Sequence, residues 1–82
     1  MNGFCYVYIL ESERNAGSCY IGFTTDLRQR LKAHNAGLVR STTKDMPWAI
    51  RSAVAFRDRY QALRFERYLK SGSGRAFYRE RL

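Results

Sequence analysis

The chain is poor in several residue types, and each shortage excludes something. Among its 82 residues are one proline, one tryptophan, one histidine and two cysteines. Two thiols are too few to close a zinc site by themselves. Cys5 and Cys19 each lie inside an apolar run, CYVYIL and CYIGF, as reduced core thiols do. No apolar run approaches the roughly 20 residues that a membrane-spanning helix needs. The first ten residues, MNGFCYVYIL, lack the basic flank and long apolar region of a secretion signal, so a cytoplasmic protein with no membrane role is expected. Acids are scarce too. Seven Asp or Glu stand against fifteen Lys or Arg, a net charge of +8, and twelve of the fifteen are Arg, whose planar fork of donors suits phosphate. An anionic polymer is the partner this balance implies. At this length there is room for one small domain, residues 1–82, near the size at which a single core is marginally stable.

What is present alternates between strand and helix patterns. Residues 5–10, CYVYIL, read as a strand with Cys5, Val7 and Ile9 on one face and Tyr6, Tyr8 and Leu10 on the other. A polar hairpin loop, ESERNAGS, returns the chain into a second strand, CYIGF, with Tyr20 and Gly22 on one face. Thr24, Thr25 or Asp26 can cap a helix over about residues 26–35, and Gly37 can end it. Residues 38–48 show neither period and form a connecting loop. In the third strand, AIRSAVAF, Ile50, Val54 and Phe56 are expected in the core, with Arg51 toward solvent. Asp58, three residues before Gln61, starts a second helix that runs to Lys70 and stops at SGSG, and RAFYRERL is long enough for a short terminal helix. The expected fold is α+β: a small three-stranded antiparallel sheet flanked by helices, in the order β-β-α-β-α-α.

Two side chains lie on the wrong face for their chemistry. Glu66 falls between Ala62, Leu63 and Leu69 on the second helix's apolar stripe, where an unpaired carboxylate is costly. It fits either an ion pair, with Lys70 one turn on or with an Arg from elsewhere, or a ligand for Mg²⁺ or Mn²⁺. In the first helix, Leu27, Arg30, Leu31 and His34 follow the i, i+3, i+4, i+7 spacing, so a guanidinium and an imidazole border the apolar stripe. An imidazole in a helix's last turn also gains simply from the dipole there. Arg30 is harder to account for, because Arg28 and Lys32 already supply the solvated face. If both helices pack on the same side of the sheet, Arg30, His34 and Glu66 converge. Six tyrosines complete the pattern, three of them, Tyr6, Tyr8 and Tyr20, in the first hairpin. Strand tyrosines are ordinary packing residues, but Tyr8 and Tyr20 beside Gly22 would put two phenols where a ligand has room. A phenol with its usual pKa near 10 needs a neighbouring cation to act as a base at neutral pH.

Tyr6-Val7-Tyr8, then Tyr20-Ile21-Gly22, the helix with Arg30 and His34, and the later helix with Glu66 resemble, in order and spacing, the GIY-YIG nuclease domain. The likeness covers nearly the whole chain. It is strongest to small stand-alone bacterial-type members, through YVYIL at 6–10, TTDL at 24–27, HNAG at 34–37 and LKSGSGR at 69–75. The resemblance implies divalent-metal-dependent hydrolysis of phosphodiesters by an endonuclease, structure-selective or nonspecific, with DNA ahead of RNA as substrate. It implies that Tyr20, ahead of Tyr8, helps deprotonate the attacking water while the other phenol positions water or phosphate, and that His34 shares the base role. Arg30 would stabilise transition-state charge, and Glu66 would hold a single Mg²⁺ or Mn²⁺. Gly22 would be structural in the site, and Arg28, Lys32, Lys44 and Lys70 are the candidates for contact with the nucleic-acid backbone. The first triplet departs from the family by reading YVY, and Phe23 stands where some members have lysine. No asparagine follows Asn35. With no room for a separate reader of sequence, selectivity would come from substrate shape, from a homodimer or from a partner protein. The alternative is a basic nucleic-acid-binding module of the same fold with little or no turnover.

Overall fold

Alternation in the first strand sets the architecture. In the computed structural model, which describes residues 3–82, β1 (Cys5–Ser12) is the centre of a three-stranded antiparallel sheet of order β2-β1-β3, with β2 (Cys19–Thr24) and β3 (Trp48–Phe56) at the edges. Cys5, Val7 and Ile9 point to one face, where they join Ile21, Ala62, Leu69 and Tyr78 in a core beneath α2 (Arg59–Leu69) and α3 (Gly72–Arg81). Tyr8 and Leu10 point to the other, where they pack with Trp48, Met46 and Leu27 and Leu31 of α1 (Leu27–Asn35). Burying Val7, Ile9 and Leu10 contributes roughly 1.5–3 kcal/mol each, so both cores depend on β1. The expected order β-β-α-β-α-α is realised, with one short 3-10 helix, Arg40–Asp45, inside the connecting loop.

Local chemistry explains the helix ends. The Asp26 carboxylate accepts from the Gln29 N–H and that of Asp58 from the Tyr60 N–H, capping α1 and α2. Gly37, at φ +76°, closes the end of α1 in the left-handed region that glycine tolerates.

The structure departs from the sequence expectations in three places. The first is β3. A bulge places Ile50 opposite Leu10 but Ser52 opposite Ile9, leaving Arg51 as the extra residue. One inserted residue exchanges faces, so Trp48 and Ile50 lie on the α1 side while Val54 and Phe56 lie on the α2–α3 side. Ile50, expected in the core, is therefore 40% exposed. Arg51 does not simply face solvent: its guanidinium reaches the Glu11 carboxylate at 3.2 Å and stands 5.8 Å from the centre of the Tyr78 ring. The second departure is α3, which begins at Gly72 within the SGSG stretch, capped by Ser71 Oγ accepting from the Gly74 N–H. The third is that α1 and α2 cover opposite faces of the sheet, so side chains of the two helices are separated by its strands.

Gly74 and Gly72 make opposite predictions. A Cβ at Gly74 would run into the backbone carbonyl of Tyr68, whereas one at Gly72 would meet nothing within 4 Å. Gly74→Ala is expected to destabilise the protein by about 1–3 kcal/mol through overpacking, and Gly72→Ala to stabilise it by about 0.4–1 kcal/mol by restricting the unfolded chain. Urea unfolding midpoints measure both; equal signs would contradict the close α2–α3 junction.

Candidate active site

The site grows from one tyrosine that the sheet turns inward. Tyr8 is paired across the strands with Gly22 and is 1% exposed. A Cβ at Gly22 would collide with the Tyr8 phenol ring and hydroxyl, so the ring lies across the glycine toward the β2 edge. A buried phenol needs partners for both its hydrogen and its oxygen. Nε2 of His34 lies 2.9 Å from the hydroxyl, and Nε of Arg30 donates to it at 3.3 Å.

His34 is wholly buried, and its second nitrogen settles the direction of these bonds. Nδ1 lies 2.9 Å from the Thr42 hydroxyl, whose own hydrogen goes to the carbonyl of Val39 at 3.1 Å. Thr42 Oγ1 therefore accepts from Nδ1–H, which leaves Nε2 bare to accept from the Tyr8 hydroxyl, and the Tyr8 oxygen is then free to accept from Arg30. This assignment uses each donor once. Desolvation first, and the positive charge of Arg30 second, lower the His34 pKa and keep the ring neutral. Desolvation, partly opposed by Arg30, raises that of Tyr8, with Tyr20 and Glu66 adding smaller upward contributions. Arg30 is strengthened as a cation, chiefly by its bond to Tyr8, with the nearby Tyr20 phenol adding a smaller contribution of the same sign.

Tyr20 is half-buried on β2, its ring 6.4 Å from that of Tyr8 and 5.0 Å from that of His34. Glu66 approaches from α2 on the opposite face. Its side chain is 18% exposed, its Oε2 lies 3.1 Å from Lys70 Nζ, and its charge is felt at the Tyr8 phenol. Two phenols and a guanidinium thus lie together at the open edge of the sheet, with one carboxylate in electrostatic range.

A family model for the GIY-YIG catalytic domain matches residues 4–79. The chain belongs to the GIY-YIG family of nuclease domains. A UPF0213 protein of Streptococcus pneumoniae is 38% identical over 71 residues, 85% of this chain and 70% of that protein. A structure-specific endonuclease subunit SLX1 homolog of Giardia intestinalis is 38% identical over 66 residues, 76% of this chain, which spans only 18% of that larger protein. The solution structure of UPF0213 protein BH0048 from Bacillus halodurans superposes with a TM-score of 0.57 at 32% identity, covering 94% of this chain and 83% of that one.

Within this GIY-YIG domain Tyr8, Tyr20, Arg30 and His34 form one connected group beside Gly22, while Glu66 is joined to it through charge and to Lys70 by direct contact. The motif HNAG at 34–37 is accounted for residue by residue. His34 meets Tyr8, the Asn35 side chain exchanges hydrogen bonds with the backbone of Trp48 at 2.6 and 2.9 Å, and Gly37 ends the helix. Arg28, Lys32 and Lys44 are exposed. Of the four cations predicted to touch nucleic acid, Lys70 alone shares a cleft with a predicted catalytic side chain, a space of about 290 Å³ that Tyr20 also lines. The larger cleft of about 1000 Å³, between Gly3–Tyr6 and Thr25–Gln29, contains none of the predicted catalytic residues. Sequence reasoning missed Thr42. Its only signal was a hydroxyl within a loop eight residues beyond the single histidine. No group of three or more His, Cys, Asp or Glu fit to hold a metal exists among the described residues.

A neutral buried histidine links stability to pH. The unfolded state binds a proton near the ordinary histidine pKa of about 6.5, whereas the folded state resists it, so this contribution to stability is present above that pH and is lost as pH falls below it. Urea midpoints measured between pH 7.5 and 5 should fall for the wild type and fall less for His34→Asn. In nitrogen-15 spectra at pH 7.5 the imidazole should carry its proton on Nδ1; a proton on Nε2 would contradict the Thr42 assignment.

Proposed function

We propose that this domain is a divalent-metal-dependent endonuclease that hydrolyses phosphodiester bonds in DNA. The observation that carries the reading is Arg30, a guanidinium hydrogen-bonded to a buried phenol and near a half-exposed one at the edge of the sheet. Family membership and the SLX1 homologs, named as structure-specific endonuclease subunits, support it. Following those relatives, selectivity is assigned to the shape of the DNA, with a partner protein or a second copy of the chain as the source of any further discrimination.

The two tyrosines take different parts. Tyr8 is buried and gives its hydrogen to His34, so it holds Arg30 in place. Tyr20 has solvent access and is the phenol that orients the attacking water; having given its own proton to solvent, its oxygen takes the water's proton, and Arg30 balances the phenolate charge until that transfer neutralises it. Arg30 also faces the charge that grows on the phosphate oxygens, a role in which a fixed cation is most effective. His34 acts through Tyr8 as a positioning residue; with both ring nitrogens engaged and the ring buried and neutral, it takes no share of the base role.

A carboxylate that belongs to no cluster of three or more His, Cys, Asp or Glu among the described residues suits a cation that keeps most of its waters and takes its other ligands from substrate phosphate, as Mg²⁺ and Mn²⁺ do. Glu66 would hold it, releasing Lys70. When bound, such an ion supplies Lewis-acid neutralisation of phosphate charge.

One observation favours the binding-only alternative: Glu66 is already satisfied by Lys70 in an i, i+4 ion pair. Cleavage assays separate the two. Purified protein with nicked, branched, single-stranded and duplex DNA should cut in Mg²⁺ or Mn²⁺ and not in EDTA. Glu66→Ala and Tyr20→Phe should each lose on the order of 100-fold or more in rate while still binding DNA. Undiminished cutting by Glu66→Ala would sink the metal assignment, and binding without cutting on every substrate would establish the alternative.

A further inference from the structure

The cleft beside Tyr20 has a second wall that none of the catalytic assignments uses. Gly17, Cys19, Tyr20 and Ile21 form the β2 side, and Lys70, Arg75, Tyr78 and Arg79 form the side made by the end of α2 and by α3. Three cations and no acid line it. The two ion pairs among the described residues are Arg51–Glu11 and Lys70–Glu66, and neither involves Arg75 or Arg79. Both arginines are exposed.

Their mounting is rigid. Arg75 and Arg79 stand at i and i+4, about 5–6 Å apart at Cβ on one helix face. The helix beneath them is fixed at three points. Gly74 lets its first turn close onto the Tyr68 carbonyl, buried Tyr78 anchors its middle in the core, and Leu82 at its end accepts from the Ser52 hydroxyl at 2.8 Å. Guanidinia carried on such a platform forfeit less entropy on binding than cations on a loose tail. The volume, about 290 Å³, lies at the bottom of the roughly 300–1,000 Å³ range of small-molecule pockets, and the lining is too cationic for an apolar ligand. A phosphodiester chain suits it.

We propose that this cleft is a backbone subsite in which Arg75 and Arg79, with Lys70, grip phosphates of the nucleic-acid strand that passes Tyr20, next to the bond being cut. The subsite rests on the endonuclease reading and adds to it the path of the strand: along β2 and over α3, away from the exposed Arg28 and Lys32 of α1. An acidic peptide would also meet the charge requirement, but the half-exposed phenol of Tyr20 in the same cleft favours the nuclease substrate.

The test measures binding of a fluorescein-labelled branched DNA to the full chain in EDTA across a range of salt concentrations, together with cleavage in Mg²⁺. For the Arg75→Gln/Arg79→Gln double variant, the slope of log affinity against log salt should shrink by about 1.8, since each lost duplex phosphate contact accounts for roughly 0.9. KM should rise about tenfold or more with kcat little changed. Arg75→Lys/Arg79→Lys, which keeps the charge, should retain most of the slope. Arg57→Gln, removing a guanidinium stacked near Phe4 at the far end of β3, should leave it unaltered. A wild-type slope in the Gln double variant, with cleavage intact, would overturn the subsite and leave the nuclease reading standing. A wild type that neither binds nor cuts DNA would overturn both.

Discussion

A phenol inside a protein must find a partner for its hydrogen and another for its oxygen, and here that requirement falls on Tyr8. An unsatisfied buried hydroxyl costs about 1–3 kcal/mol, and among the described residues no buried side-chain nitrogen or oxygen lacks a hydrogen bond. Satisfying Tyr8 fixes much of what surrounds it. Gly22 must lack a side chain so that the ring can lie across β2. His34 must stay neutral with a bare Nε2, which requires an acceptor at Nδ1, and Thr42 provides it from the 3-10 helix. Arg30 is drawn onto the phenol oxygen and thereby placed near Tyr20. Trp48 ties the same region down, its indole N–H donating to the Thr42 carbonyl at 2.9 Å. The Arg30 guanidinium is thus held in position by buried groups.

The sheet explains where such a site can be. With α1 on one face and α2 and α3 on the other, residues from the two helices are separated by β1 everywhere except around a strand edge. β2 is one of the two edges, and the glycine opposite Tyr8 thins it further. The first helix brings Arg30 and His34, the second brings Glu66 and Lys70, and β2 itself brings Tyr20. The division of labour proposed for the phenols rests on the same geometry: Tyr8 points inward and is desolvated, whereas Tyr20 keeps contact with solvent. A group of polar side chains at an edge also leaves one side open to a long polymer, which an enclosed pocket would exclude.

Much of this was legible in the residues. Strand alternation and caps located every strand and α-helix to within a few positions, because Asp26, Asp58 and Gly37 act locally, but the 3-10 helix at Arg40–Asp45 lay in what read as an irregular loop. The misfit of Arg30 and Glu66 on otherwise apolar stripes pointed to the two helices that act on Tyr8, one by a hydrogen bond and one through charge. The bulge at Arg51 was not legible: AIRSAVAF alternates well enough to read as one regular strand, and only the pairing with β1 shows that Trp48 and Ile50 face the opposite side from Val54 and Phe56. Helix α3 was expected to start three residues too late, because glycine at 72 and 74 reads as a breaker until the Tyr68 carbonyl is seen to need the space. Thr42 was hidden for a different reason. Its role depends on a hydrogen-bond direction set by three residues in two elements, and no spacing rule encodes that.

The most direct test of the Tyr8 arrangement is a carbon-13 titration of the tyrosine ring Cζ atoms, assigned with Tyr8→Phe and Tyr20→Phe proteins. Desolvation by the sheet and by α1 is expected to hold the Tyr8 phenol protonated past the ordinary tyrosine pKa of 10.0, as a donor to His34. A Tyr8 phenol that ionises at or below that value would show that it faces solvent, and the assignment of holder and base to the two tyrosines would have to be reversed.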